Sequence, residues 1–115
     1  MQKNNSIKVS VIMNCHNGAN YLNDSIKSLL KQKYKNWELI FWDNNSTDNT
    51  AKIVNSYDDL RIKYYLAKQH TNLGKARSLA ITKCKGEFIA FLDSDDIWIK
   101  NKLEIQIPFF ADQKI

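Results

Sequence analysis

Apolar positions along the 115-residue chain recur with two periods, and the switches between them divide it into short elements. Ile7-Lys8-Val9-Ser10-Val11-Ile12-Met13 is rich in β-branched residues and predicts a strand. The polar run Asn14-Cys15-His16-Asn17-Gly18 then reads as a loop. Tyr21, Leu22, Ile26, Leu29 and Leu30 recur at helical spacing and predict a helix over about residues 20–32. Trp37 to Trp42 is a second strand, ending at Asp43-Asn44-Asn45-Ser46, after which Ser46 or Thr47 is placed to cap a short helix near Asp48. Arg61 to Leu66 is a third strand. Asn72 caps a helix from Leu73 to about Cys84, with Leu73, Ala76, Ala80 and Cys84 on one face and Gly86 closing it. Phe88 to Leu92 forms a fourth strand, whose unbroken apolar run predicts burial on both faces. A last helix over about residues 98–111 carries Trp98, Leu103, Ile107 and Phe110, with Pro108 bending or ending it.

Strands and helices therefore alternate, which implies an α/β fold: a mostly parallel sheet, right-handed crossovers and helices on both faces. In such sheets ligands bind outside the carboxyl ends of the strands. The first, second and fourth strands end in Asn14 to Asn17, Asp43 to Ser46 and Asp93 to Asp96. The last of these is the sharpest. Asp93-Ser94-Asp95-Asp96 packs three carboxylates directly behind an apolar run, and their mutual repulsion calls for a cation. Mg²⁺ or Mn²⁺ suits an all-oxygen site. A solvated acidic turn capping the next helix is the plain alternative for any one such motif. Three polar clusters at three strand ends favour a ligand site.

Composition changes this picture little. One domain of 115 residues, 43% hydrophobic and 25% charged, is that of an ordinary globular protein. No stretch approaches the roughly 18 apolar residues of a membrane span, and the polar residues 1–6 lack a signal-peptide core, so the default expectation is cytoplasmic. Cys15 and Cys84 stand far apart without metal-ligand spacing and read as two reduced, buried thiols. His70 reads as a surface loop residue. The net charge of +5 comes from scattered lysines with no aromatic interleaving. Nucleic acid is therefore not the expected partner, and a weak pull toward an anionic membrane face is the most that the charge implies.

Four motifs in register carry a family resemblance over about residues 7–112. Val9 to Met13 with Tyr21-Leu22, then Trp42-Asp43-Asn44-Asn45-Ser46-Thr47-Asp48-Asn49-Thr50, then Asn72-Leu73-Gly74-Lys75-Ala76-Arg77-Ser78, then Gly86 to Asp96 resemble the nucleotide-binding half of the inverting GT-A glycosyltransferases of family 2. The resemblance implies a Rossmann-like fold and a nucleoside-diphosphate-sugar donor. It implies that Asp95, with Asp93, holds Mg²⁺ or Mn²⁺ against the diphosphate, and that Asp96 either assists or caps the next helix. It places Asn14, His16, Asp43, Asn44, Asp93 and Ser94 around the nucleotide. Arg77 would approach the phosphates, brace the acidic loop or make a structural salt bridge. The acceptor would be a saccharide or a lipid-linked one.

Three positions depart from the family pattern. Asn14-Cys15-His16 stands where Pro-Thr-Tyr is frequent, so His16 would take over base stacking. Asn44 replaces an Asp, and its carbonyl oxygen would accept the uracil N3–H, so a UDP-sugar is favoured. Ser78 replaces a common Asn. No Asp or Glu after Asp96 stands in a matching general-base motif, so no catalytic base is assigned and one is expected beyond Ile115. The expectation is a donor-half fragment that binds without transfer and self-associates through the uncovered surface. The alternatives are a non-catalytic sugar-nucleotide-binding module, a phospho-receiver domain and a haloacid-dehalogenase-type phosphatase. The last two place their acidic motif after the first strand, where this chain has Asn14-Cys15-His16.

Overall fold

A computed structural model describes residues 7–113, with side chains described as far as Phe109. The expectations for residues 1–6 and for the Phe110 side chain lie outside the described residues. The elements follow in the order β1 (Val9–Cys15), α1 (Ala19–Leu30), β2 (Trp37–Asp43), α2 (Thr50–Asn55), β3 (Ile62–Leu66), α3 (Leu73–Ile81), β4 (Phe88–Phe91) and α4 (Lys102–Gln113). All strand pairs are parallel, in the order β3-β2-β1-β4. The α/β reading, with helices on both faces, is what the structure has.

Strand alternation divides the core. Val9, Val11 and Met13 of β1 and Trp37, Leu39 and Phe41 of β2 face one way. They meet Leu22, Ile26 and Leu29 of α1, Val54 of α2, and Leu103 and Ile107 of α4. Ile12, Ile40 and Trp42 face the other way, onto Ala76 and Ala80 of α3. The small alanines let α3 lie close to the sheet, whereas Leu73, predicted on the same face, is exposed at the start of the helix.

Glu38 interrupts the second face. It lies beside Ser10 in the β1–β2 register and is 1% exposed. Its carboxylate accepts from Ser10 Oγ at 2.6 Å, Lys85 N–H at 2.7 Å and Lys63 Nζ at 2.9 Å. Lys8 Nζ stands 3.8 Å away. Burial alone would raise this carboxyl; the hydrogen bonds and the Lys63 charge outweigh it and hold the group down to about 2. Gly86 completes the knot. Its N–H donates to Ser10 Oγ, and a Cβ there would stand 2.7 Å from the Lys8 carbonyl and the Ser10 N–H. Gly86 is thus required by close approach to β1. It does not close α3, which ends at Ile81.

Several boundaries differ from the sequence reading. β1 runs on through Asn14 and Cys15 because its pairing with β2 continues to Cys15↔Asp43. The last helix starts at Lys102 rather than residue 98, leaving Trp98 in the preceding connection. It continues through Pro108. The carbonyl that Pro108 cannot bond belongs to Glu104, which is exposed, so water can serve it. Neither Ser46 nor Thr47 caps α2: Asp48 takes the Thr50 N–H at 2.9 Å. β4 is not buried on both faces. Among the described residues it pairs only with β1, and α3 packs over the sheet centre, leaving Ile89 39% and Phe91 44% exposed. Both cysteines are free as expected, but Cys84 is only partly buried.

Candidate functional site

The order β2-β1-β4 brings the carboxyl ends of the three motif-bearing strands side by side. Asn17 and Asn45 have positive φ values of 55° and 61° at the two turns, a conformation that asparagine tolerates better than most residues. Asn17 Oδ1 accepts from Thr47 N–H at 2.7 Å, and Ser46 Oγ accepts from Asn17 N–H at 2.9 Å. Asp48 takes the first N–H of α1, from Ala19, at 3.1 Å as well as Thr50 of α2. The hydrogen bond from Thr50 lowers its carboxyl below the ordinary value. The β1 and β2 loops are therefore one hydrogen-bonded unit.

A small cavity of about 250 Å³ opens above β1 and β2, lined in part by Asn14, His16, Asn44 and His70. Asn14 Oδ1 is buried there without a hydrogen-bond partner among the described residues. His16 Nδ1 and His70 Nδ1 lie 2.9 and 3.2 Å from the same acceptor, the Asn44 carbonyl oxygen. An acceptor can serve both only if each ring carries a proton on Nδ1; His16 Nε2 in turn lies 3.4 Å from Asn17 Nδ2. The ring centroids are 4.2 Å apart. His70 was expected to be a plain loop residue. It is exposed, but it is a wall of this cavity, and nothing local in its sequence marks it.

Asn44 and Asp43 are both buried and engaged. Asn44 Nδ2 donates to Thr71 O at 2.7 Å, and its Oδ1 accepts from Thr71 N–H at 3.0 Å. A base N–H directed at Asn44 would have to share that oxygen. Asp43 accepts from Ser46 N–H at 2.8 Å and from Tyr64 Oη at 2.6 Å. Burial, and then the Asp43 carboxylate, push the Tyr64 hydroxyl well above its ordinary range, so it stays a donor.

Past β4 the chain turns sharply, with Asp96 N–H on Asp93 O at 3.0 Å. One carboxylate oxygen each from Asp93, Asp95 and Asp96 lies within 4.8 Å of the others, and all three residues are exposed. None of the three side chains has a hydrogen bond or ion pair among the described residues. Three hard oxygen donors in that space fit a divalent cation of the Mg²⁺ or Mn²⁺ type. The turn does not cap the next helix, which begins only at Lys102. That removes the capping role considered for Asp96. Ser94 sits over Gly18, where an added Cβ would come 3.2 Å from Ser94 Oγ and 2.6 Å from Cys15 Sγ. Burial raises the Cys15 thiol, which is enclosed beneath the acidic turn. Arg77 lies with its guanidinium 5.0 Å from the Phe91 ring centroid, one residue before Leu92 and the turn. Among the described residues it makes no salt bridge.

The family model described as "Glycosyl transferase family 2" matches residues 10–115. The chain is 46% identical over 107 residues to the Escherichia coli UDP-Glc:alpha-D-GlcNAc-diphosphoundecaprenol beta-1,3-glucosyltransferase WfgD, covering 93% of this chain and 42% of that protein. It is 38% identical to the putative teichuronic acid biosynthesis glycosyltransferase TuaG of Bacillus subtilis (strain 168), covering 91% and 42%. The chain thus spans less than half the length of these curated relatives. Among solved structures, S. aureus TarS 1-349 in complex with UDP superimposes with a TM-score of 0.86 at 33% identity, covering 92% of this chain and 32% of that one. TarS 1-349 in complex with UDP-GlcNAc gives the same score.

Proposed function

From the premise that the chain belongs to glycosyl transferase family 2, we propose that it is the donor-binding half of an inverting glycosyltransferase. Its donor in this reading is a UDP-sugar, and its acceptor a saccharide carried on a lipid, as in the printed activity of WfgD. Family membership sets aside the phosphatase and receiver alternatives.

The observation that carries the proposal is the meeting, on one sheet edge, of a three-carboxylate cluster unpartnered among the described residues and a small cavity walled by Asn14, His16, Asn44 and His70. Asp93 and Asp95 would hold Mg²⁺ or Mn²⁺, which when bound supplies charge neutralisation for the departing diphosphate. His16 and His70 offer ring faces to the base, with His16 Nε2 already 3.4 Å from Asn17 Nδ2. Asn14 Oδ1 supplies an acceptor still without a donor. Asn44 and Asp43 hold the cavity wall, and Asn44 shares its oxygen with the base. Ser94 borders the ribose and diphosphate. Arg77, already over Phe91, sits one strand-end from the acidic turn and is the cation assigned to the phosphates.

The general base is assigned outside residues 1–115, so this chain by itself would bind donor and transfer sugar poorly, losing a factor of roughly 10² to 10⁴ from proton transfer. Among the described residues no helix is long and apolar enough to cross a membrane. Exposed Ile97, Ile99, Ile105 and Phe109, near Lys100 and Lys102, give the surface for the peripheral membrane contact or self-association included in this reading.

Calorimetry with UDP, in Mn²⁺ and in EDTA, tests the proposal. Metal-dependent binding that prefers UDP to GDP is expected. Binding equal in the two conditions, or absent from both, overturns it.

A further inference from the structure

One face of α1 carries polar side chains where an apolar stripe is the norm. Ser25 and Ser28 of α1, and Gln32 two residues past its end, follow one another at i, i+3 and i+7, and all are buried, Ser25 and Gln32 completely. Burying three polar groups costs free energy unless each finds partners. They find them almost entirely in the main chain that follows β4.

Ser25 Oγ stands 2.8 Å from the Ser94 carbonyl and 3.4 Å from that of Asp93, and also bonds the Asp96 carbonyl. One hydroxyl proton is thus shared among carbonyls of the acidic turn. Ser28 stands behind Ser25: its Oγ donates to the Ser25 carbonyl at 2.7 Å and accepts from Trp98 N–H at 3.1 Å. Gln32 uses both ends of its amide. Nε2 donates to the Ile99 carbonyl at 2.6 Å, and Oε1 accepts from Leu103 N–H at 3.1 Å, the first turn of α4.

We propose that this face of α1 is the positioning element of the acidic turn. Ser25 holds the main chain so that the Asp93, Asp95 and Asp96 carboxylates converge, and Ser28 and Gln32 fix the connection behind it. The inference rests on the reading that this cluster takes a divalent cation. The physical need is direct. Three exposed carboxylates repel one another, and their own side chains have no partner to hold them within 4.8 Å. Convergence must therefore be imposed through the backbone. The turn's own Asp96-to-Asp93 hydrogen bond is one constraint, and the Ser25 hydroxyl is a second, supplied from outside the turn.

The test is Mn²⁺ binding to this chain, read by electron paramagnetic resonance of the free ion, alongside UDP affinity in EDTA and the thermal midpoint. Ser25→Ala is expected to weaken Mn²⁺ binding about tenfold, the usual size for a group that orients metal ligands, with UDP affinity in EDTA unchanged. Ser28→Ala, which leaves the Ser25 hydroxyl in place, is expected to give a smaller loss in the same direction and serves if Ser25→Ala does not fold. Mn²⁺ affinity unchanged in a folded variant, or falling only in step with UDP affinity in EDTA, overturns the positioning role while leaving the metal site standing. Failure of the unmodified chain to bind Mn²⁺ overturns both.

Discussion

Two groups of carboxylates at opposite ends of the same sheet have opposite surroundings. Glu38, toward the amino ends of the strands, is buried and accepts from a hydroxyl, a backbone N–H and a lysine, with a second lysine nearby. Asp93, Asp95 and Asp96, at the carboxyl end of β4, are exposed and accept from nothing among the described residues. A carboxylate saturated by its own chain has a structural task, because its charge is already compensated. Carboxylates that converge without donors keep their lone pairs for something else. Position in the sheet, rather than residue type, separates the two.

Removing Glu38 gives the largest expected effect. Glu38→Ala leaves the Ser10 hydroxyl and the Lys85 N–H without their acceptor and should cost about 3 kcal/mol in a urea titration. A cost below about 1 kcal/mol would break the contrast, since such a change would be that of an ordinary surface site. Asp95→Ala should behave oppositely. Its Mn²⁺-dependent UDP binding should fall at least about tenfold, while its unfolding free energy stays within about 0.5 kcal/mol of the unmodified chain.

Acid separates the two ends without mutation. Because the Glu38 carboxyl is lowered to about 2 in the fold from an ordinary 4.5, its stabilisation is complete above the ordinary value and disappears as pH falls through the folded one. Stability measured by denaturant should therefore decline between about pH 4.5 and 2, and Glu38→Gln should flatten that decline. Asp48 is the intermediate case, exposed yet accepting from Ala19 and Thr50. Its donors make it a cap for two helices rather than a ligand group. Asp48→Ala should cost about 1 kcal/mol of stability, and UDP affinity should change less than for Asp95→Ala.

Much of the fold was legible because its elements are locally coded. The β-branched run of β1, the helical spacing of Leu22, Ile26 and Leu29, and the Asn72 cap, which accepts from Lys75 N–H at 2.8 Å, each depend on neighbours in sequence. The carboxylate cluster was legible for the same reason: its three members are adjacent. Other features were not. The apolar run of β4 predicts burial on both faces, yet Ile89 and Phe91 are exposed because an edge strand has only one neighbour and α3 covers the centre. Pro108 reads as a bend or an end of the last helix, yet the helix runs through it, and the residue whose carbonyl it cannot bond, Glu104, is exposed. Ser25, Ser28 and Gln32 are polar residues that no pattern in the sequence marks as core, and they are buried.

By itself the sequence determined the succession of strands and helices, the parallel α/β class and the polar clusters that lie at the strand ends. It did so because hydrophobic period and cap chemistry act within a few residues. The tertiary structure alone decided which distant groups meet. It set His70 against His16 across the Asn44 carbonyl, Lys63 and Lys85 on Glu38, and the Ser25 hydroxyl beneath the acidic turn. These meetings depend on strand order, register and the seating of α1 against the segment after β4. All of them are set by packing of the whole chain, and no local pattern encodes them.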